Sequence, residues 1–345
     1  MTTIKVQFST NRNYVGGLDI FGSEVRGNTE YVNGSVDVVR YGGQWRIDVG
    51  TIIIGPPIRP GSGKFVDENG ISAYARKLSG PGSSSKRKSA PGRGLVFIHG
   101  FNTDFREAIE DTARLAHLYE VSGAYCVSWP ALHVEKISID HYRADKRKAT
   151  ASAQFALSAL RELLTFLVSR KKAELPILQI VAHSMGNYVL GQAVQRINAK
   201  NSNIVKSDLF EGAILIAADE ADNALSRGKP LAPLLKLAKK VAVYYYGSDW
   251  ALTASRIVNK GWAPLGIWGP RDLANLPGQI TSIDCSRVAL ENAEDDTGHG
   301  YLRTAPKVIA DIRQVLAGDA PDDIQPRLQN YVDPVPGRAW FIPRM

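Results

Sequence analysis

The 345-residue chain holds two cysteines and three methionines, and no apolar run in it approaches the roughly 20 residues a membrane-crossing helix needs. Its N-terminus, MTTIKVQFSTNRNYV, has no apolar core behind a basic start. No secretory signal and no membrane span are therefore expected, and the expected setting is a reducing cytoplasm. Cys126 and Cys285 sit singly in the strand-like runs GAYCVSW and ITSIDC. That spacing lacks the close pairing of redox motifs and metal sites, so both are read as buried free thiols. No internal repeat is present, and no metal or organic cofactor is expected.

A basic stripe interleaved with aromatics is also missing. The net charge of +8 and pI near 9.3 would by themselves suggest a nucleic-acid partner. However, Lys86, Arg87, Lys88 and Arg93 lie in the acid-free spacer GPGSSSKRKSAPGRG, so half of the excess is local and the rest is spread along the chain. No nucleic-acid partner is expected, while a preference for anionic substrates or surfaces stays open. PGSGKF resembles a phosphate loop only superficially, because no glycine lies five residues before Gly63 and Phe65 stands where Ser or Thr is needed. Oligomeric state is not legible.

What is present falls into four parts. Residues 1–79 alternate short apolar runs (IKVQF, SVDVVRY, WRIDVGTIII) with Gly, Asn and Pro clusters, as an N-terminal β-rich lobe does. Residues 80–93 form a flexible basic linker by composition. From 94 to 317, fully apolar runs (LVFIHG, AYCVSW, ILQIVAH, GAILIAAD, VAVYYYG, QITSIDC) alternate with helical patterns expected at 105–121, 142–170, 185–199, 231–240, 251–259 and 305–317. Strands apolar on both faces, separated by amphipathic helices, point to a mostly parallel α/β sheet covered on both sides. Asp104 and Glu107 form a capping box by spacing, and Phe155, Ala156, Leu160, Leu163, Leu164 and Leu167 keep one face of the 142–170 helix apolar. The tail, 318–345, ends in AWFIPRM, which is expected to dock on the body.

In such a sheet the site lies at the carboxyl ends of the strands. Those ends carry His99-Gly100-Phe101-Asn102, Ser184, Asp219, Asp249 and His299, in that order. A serine hydroxyl becomes a nucleophile when a histidine takes its proton, and the imidazolium needs a carboxylate. The order Ser, Asp, His is that of the α/β-hydrolase fold. Ser184 follows the run LQIVAH and opens a helix, and its neighbours Ala182 and Gly186 are small enough for a tight strand-to-helix elbow. The N–H of Met185, with that of Phe101 or Asn102 and Phe101 favoured, would form an oxyanion hole. Asp249 is favoured over Asp219 because the acid usually follows the strand before the histidine's. His99 and His183 are read as braces for the loop and elbow. Trp129 and Trp250 are candidates for a substrate pocket or for the core, and Arg12 for a structural salt bridge or an anion ligand.

VFIHGFNTDFREAIEDTARLA, VSWP, AHSMGNYVL, VYYYGSDWALTAS and DDTGHGYL together resemble the esterase/lipase-superfamily hydrolases grouped as domain of unknown function 900. The openings VQFSTNRN and FGSEVRGNTEYVNGSV are similar as well, so the likeness spans about 1–315. The resemblance implies an α/β-hydrolase with a Ser184, Asp249, His299 triad and leaves the substrate undefined. AADEAD at 217–222 departs from the family pattern, where a proline precedes the aspartate. The expected activity is cleavage of a carboxylic ester or thioester, from a small-molecule or lipid-like substrate, through an acyl-enzyme. An acyltransferase on the same fold and a non-catalytic scaffold are the alternatives.

Overall fold

The computed structural model describes all residues except 28–29, 61–69, 80–91, 172–173, 198–208, 260, 294–296, 331–334 and 345. The PGSGKF motif beyond Pro60 and most of the basic linker lie outside the described residues.

The chain opens with β1 (Thr2–Thr10), a hairpin of β2 (Arg12–Gly16) and β3 (Ile20–Val25), then β4 (Val32–Tyr41), β5 (Gln44–Ile54) and the helix α1 (Ile71–Leu78). The alternating part follows: β6 (Arg93–Ile98), α2 (Phe105–Leu118), β7 (Gly123–Ser128), α3 (Ile139–Val168), β8 (Ile177–His183), α4 (Met185–Gln195) and β9 (Phe210–Ile216). It continues with β10 (Ala238–Tyr245), α5 (Trp250–Val258), α6 (Leu265–Trp268), β11 (Ile280–Asp284), α7 (Tyr301–Thr304) and α8 (Pro306–Ala317). The tail adds β12 (Leu328–Gln329) and β13 (Ala339–Phe341).

Apart from the β2–β3 hairpin these strands form one 11-stranded sheet, ordered β12-β13-β11-β10-β9-β8-β6-β7-β1-β4-β5. From β13 to β1 every neighbouring pair runs parallel, while β12 at one edge and β4 and β5 at the other are antiparallel. Alternate residues of one strand feed two cores. Val96 and Ile98 of β6 pack with α1, α3 and α4, whereas Leu95 and Phe97 pack with α2, α7 and α8. A strand with helices on both faces has few positions for a polar side chain, which is why these runs are mostly apolar.

Within the first 79 residues, β1, β4 and β5 are continuous with this sheet rather than set apart from it. Phe8 of β1 pairs with Cys126 of β7 and with Gly34 of β4, where a Cβ would lie 2.3 Å from the Phe8 ring. The region also contains α1, whose Tyr74 hydroxyl donates to the Leu95 carbonyl. Cys126 and Cys285 are buried free thiols.

Helix starts follow their local chemistry. Asp104 and Glu107 close the capping box of α2, and the Ser138 hydroxyl caps α3 three residues earlier than periodicity suggested. The expected face of α3 is buried from Phe155 to Leu167. This 30-residue helix is long and apolar enough to cross a bilayer, but 72% of its most apolar stretch is buried inside the protein, the pattern of a core helix. One expected helix, 231–240, is instead a short 3-10 turn at Ala232–Lys236 followed at once by β10. Ala238 already pairs with Phe210 of β9, so the strand claims the end of the segment, and Lys239 is exposed at its start. The tail docks through β13, which pairs with β11. It is fixed further by a buried ion pair in which the Arg327 guanidinium meets both Asp311 oxygens at 2.5 and 2.6 Å.

Candidate active site

The turn from β8 into α4 puts Ser184 at φ 51°, ψ −125°, a left-handed backbone that a non-glycine residue adopts only under constraint, at a cost of about 1–3 kcal/mol. The constraint is visible. The Ser184 N–H donates to the Ile216 carbonyl, and the Ser184 carbonyl accepts from the N–H groups of Asn187 and Asp219. The buried Asn187 amide, which sequence reasoning missed, donates to the carbonyls of Ala182, Ser184 and Ile216 at 3.0–3.2 Å. Its one visible signal is an amide among the buried residues of the first helical turn. Gly186 is forced by contact: a Cβ there would sit 2.3 Å from the Ile98 carbonyl oxygen.

His299 follows Gly298, whose φ is +63°, in the loop before α7. Its Nδ1 donates to Asp249 Oδ2 at 2.7 Å, and Asp249 is fully buried. Asp249 is also the N-cap of α5, accepting the Leu252 N–H on Oδ1 at 3.0 Å. Both carboxylate oxygens thus have a donor, and the imidazole is held with its proton on Nδ1. His183 donates from Nε2 to the His299 carbonyl at 3.0 Å. Burial and the neighbouring His299 and Arg303 hold the His183 pKa well below the ordinary value, so it stays neutral.

Asp219 is also buried, but its oxygens are already taken. Oδ2 accepts from the Tyr142 hydroxyl at 2.6 Å and lies 3.6 Å from the Lys146 ammonium, while Oδ1 accepts from the Ser255 hydroxyl at 2.5 Å.

The Phe101 and Met185 N–H groups make no hydrogen bond to any described residue. The Asn102 N–H, the other candidate, donates to Asp145 Oδ2 at 3.3 Å. Asp145 also accepts the Leu132 N–H at 2.8 Å, and burial pushes its pKa up to about 6. Beneath this loop His99 is neutral, its pKa pushed down to about 3 by burial and by Arg12. It donates from Nδ1 to the Gly100 carbonyl and accepts the Trp129 N–H on Nε2. Arg12, fully buried, neither pairs with a described carboxylate nor reaches the site: it donates to the carbonyls of Gly22, Ala131 and Thr103 and to the Ser128 hydroxyl. Trp129 is likewise not a pocket residue. Its indole N–H donates to the His99 carbonyl at 2.8 Å and its ring stacks on His99 at 5.3 Å, so it belongs to the core.

Ser184, His299 and Phe101 face a cavity of about 670 Å³, within the usual range for small-molecule sites. Its lining includes the apolar side chains of Ile137 and Ile139 and of Trp250, Ala251 and Val258 of α5. Trp250 is 70% exposed, as a rim residue would be. The lining also includes the polar residues Glu107, Asp111, Thr297 and Arg303. Among the described residues, Asp104, Glu107 and His133 are the His and acid ligand atoms close enough together to hold a cation, within 4.8 Å of one another. Those atoms are in use, since Asp104 and Glu107 cap α2 and Glu107 accepts from His133 at 2.9 Å.

Residues 83–318 match the family model described as alpha/beta hydrolase of unknown function (DUF900). No curated protein matches the chain. Among solved structures, an acylaminoacyl peptidase from Pyrococcus horikoshii is similar at 12% identity and TM-score 0.36, over 85% of this chain and 48% of that one. The chain thus spans about half the length of the peptidase. A dienelactone hydrolase from Anabaena variabilis is similar at 15% identity and TM-score 0.28, over 55% of this chain and 80% of that one. Esterase B from Lactobacillus rhamnosis is similar at 14% identity and TM-score 0.25, over 51% of this chain and 63% of that one.

Proposed function

The chain belongs to the α/β-hydrolase family of unknown function matched over 83–318, and on that premise we propose that it is a serine hydrolase that cleaves a carboxylic ester through an acyl-enzyme. The observation that carries this reading is the 2.7 Å hydrogen bond from His299 to the buried Asp249, with His299 facing the same cavity as the strained Ser184.

With its proton held on Nδ1, the His299 ring leaves Nε2 as the base. Nε2 takes the Ser184 Oγ proton as Oγ attacks the carbonyl carbon, and Asp249 stabilises the imidazolium so formed. The carbonyl oxygen becomes an oxyanion, for which the N–H groups of Phe101 and Met185 are the donors; each such donor contributes roughly 3 kcal/mol in the transition state. His299 then protonates the departing alcohol, and water repeats the sequence on the acyl-enzyme. The start of α4 adds the favourable end of a helix dipole beside the oxyanion. The apolar lining residues of α5 suit an acyl chain, with the exposed Trp250 among them.

Pre-steady-state turnover of a chromogenic short-chain ester tests this. The account expects a burst equal to one acyl group per chain, and a fall of about 10⁶-fold in kcat for Ser184→Ala. Full turnover by Ser184→Ala would sink it. Repeating the assay with competing alcohols and amines separates hydrolysis from acyl transfer, since a transferase forms acylated acceptor in preference to free acid.

A further inference from the structure

Glu110, Asp111 and Arg114 of α2 line the site cavity and also a second cavity of about 610 Å³ between α2 and the β4–β5 hairpin. The hairpin is closed tightly. Gly42 and Gly43, at φ 57° and 87°, connect the paired Tyr41 and Gln44, so Arg40 stands opposite Trp45 across the ladder. From the other side, Arg106, Glu110, Arg114 and His117 share one face of α2, at helical spacing. Arginines from three separate stretches of chain, Arg40, Arg46 and Arg106 with Arg114, therefore line one volume.

The two carboxylates there are paired with arginines other than Arg40 and Arg46. Glu110 pairs with Arg106 at 3.9 Å and accepts the Ile47 N–H, and Asp111 pairs with Arg303 at 3.3 Å, outside this cavity. Arg40 and Arg46 pair with no described carboxylate. Arg40 donates to His117 Nε2 at 3.3 Å and lies 5.9 Å from the Trp45 ring centroid, and Arg46 donates to Gln44 Oε1. A guanidinium cannot shed its charge at neutral pH, and its planar fork matches the oxygens of a phosphate.

We propose that this cavity is an anion site that takes a phosphate group, held by Arg40, Arg46 and Arg106. The phosphate has two sources, a free organic phosphate or the far end of an ester that extends along α2 from Ser184. The site itself does not depend on the serine hydrolase reading.

Calorimetric titration of the full chain with inorganic pyrophosphate, in low-salt buffer without phosphate, tests it. The expected result is saturable one-site binding, weakened about tenfold or more in Arg40→Ala/Arg46→Ala. Arg46→Lys keeps the charge but loses the fork and should fall between, while Arg196→Ala, on an exposed arginine elsewhere, should bind as wild type. Melting temperature and fluorophosphonate labelling at Ser184, unchanged in every variant, keep a folding defect or a failure of the hydrolase reading from being mistaken for loss of this site. If a phosphorylated ester gains in kcat/KM over its neutral analogue and the double variant loses that gain, the phosphate is the substrate's. Pyrophosphate that binds without raising KM for a neutral ester marks a separate ligand. Absence of saturable binding, or an equal loss in Arg196→Ala, would overturn the proposal.

Discussion

The loops after β9 and β10 each place one aspartate, Asp219 and Asp249, at the carboxyl edge of the sheet, both buried and both beside the cavity that Ser184 faces. Position in the fold hardly separates them; their hydrogen-bond partners do. Asp249 sits at the start of α5 with one oxygen on a backbone N–H and the other directed to His299. Asp219 is saturated by Tyr142 and Ser255, with Lys146 alongside. A buried carboxylate acts on the group its oxygens meet, so on the proposed reading the first orients a base, while the second holds the wall of the cavity together.

The sharpest way to break this comparison is to neutralise each acid in turn. Asp249→Asn should retain the fold but lower kcat about 10⁴-fold, because an amide no longer selects the Nδ1–H tautomer of His299. Asp219→Asn should change kcat less than about tenfold but destabilise the protein by about 1–3 kcal/mol in urea unfolding, since Lys146 then lacks its carboxylate. If the two effects were exchanged, the assignment of roles would be reversed. On the β10 side, Trp250→Ala should raise KM for long acyl chains about tenfold while leaving acetyl esters nearly unchanged, measured across a chain-length series.

On the β9 side the smallest effect is a pH dependence. Glu220 is buried with Oε1 unpartnered among the described residues, and burial raises its pKa to about 8. A carboxyl with a raised folded pKa binds a proton that the unfolded chain releases, so its contribution to stability is full below 4.5 and is lost as pH rises through 8. The buried His99 and His183 act oppositely but only below 6.5. Between 6.5 and 8, wild type should therefore lose melting temperature relative to Glu220→Gln, with parallel curves as the contrary result.

These contrasts also mark what was legible in the sequence. Strands buried on both faces announce themselves as unbroken apolar runs, and a serine between Ala182 and Gly186 announces an elbow, because sterics leave few alternatives. Partner choice leaves no such trace. Nothing in AADEAD says that Tyr142, far earlier in the chain, occupies Asp219, and nothing near VSWP says that Trp129 turns inward to His99. Likewise IKVQF is apolar enough for a strand, but its place beside β7 depends on long-range pairing that periodicity cannot carry. The arginines of the second cavity come from three segments, none basic enough alone to stand out, and so read as dispersed charge. In 231–240, Leu231, Leu234, Leu235 and Leu237 have helical spacing, while the pairing of Ala238 with Phe210 that ends the segment is long-range and leaves no local mark.

Activation of Ser184 by His299 underlies the proposed function. Intact-mass and peptide-mapping measurement of fluorophosphonate-treated protein tests it most directly. The account predicts a single adduct on Ser184 of the wild type, absent in Ser184→Ala and strongly slowed in His299→Ala. A folded wild type that takes up no probe, or an adduct that persists in Ser184→Ala, would contradict it.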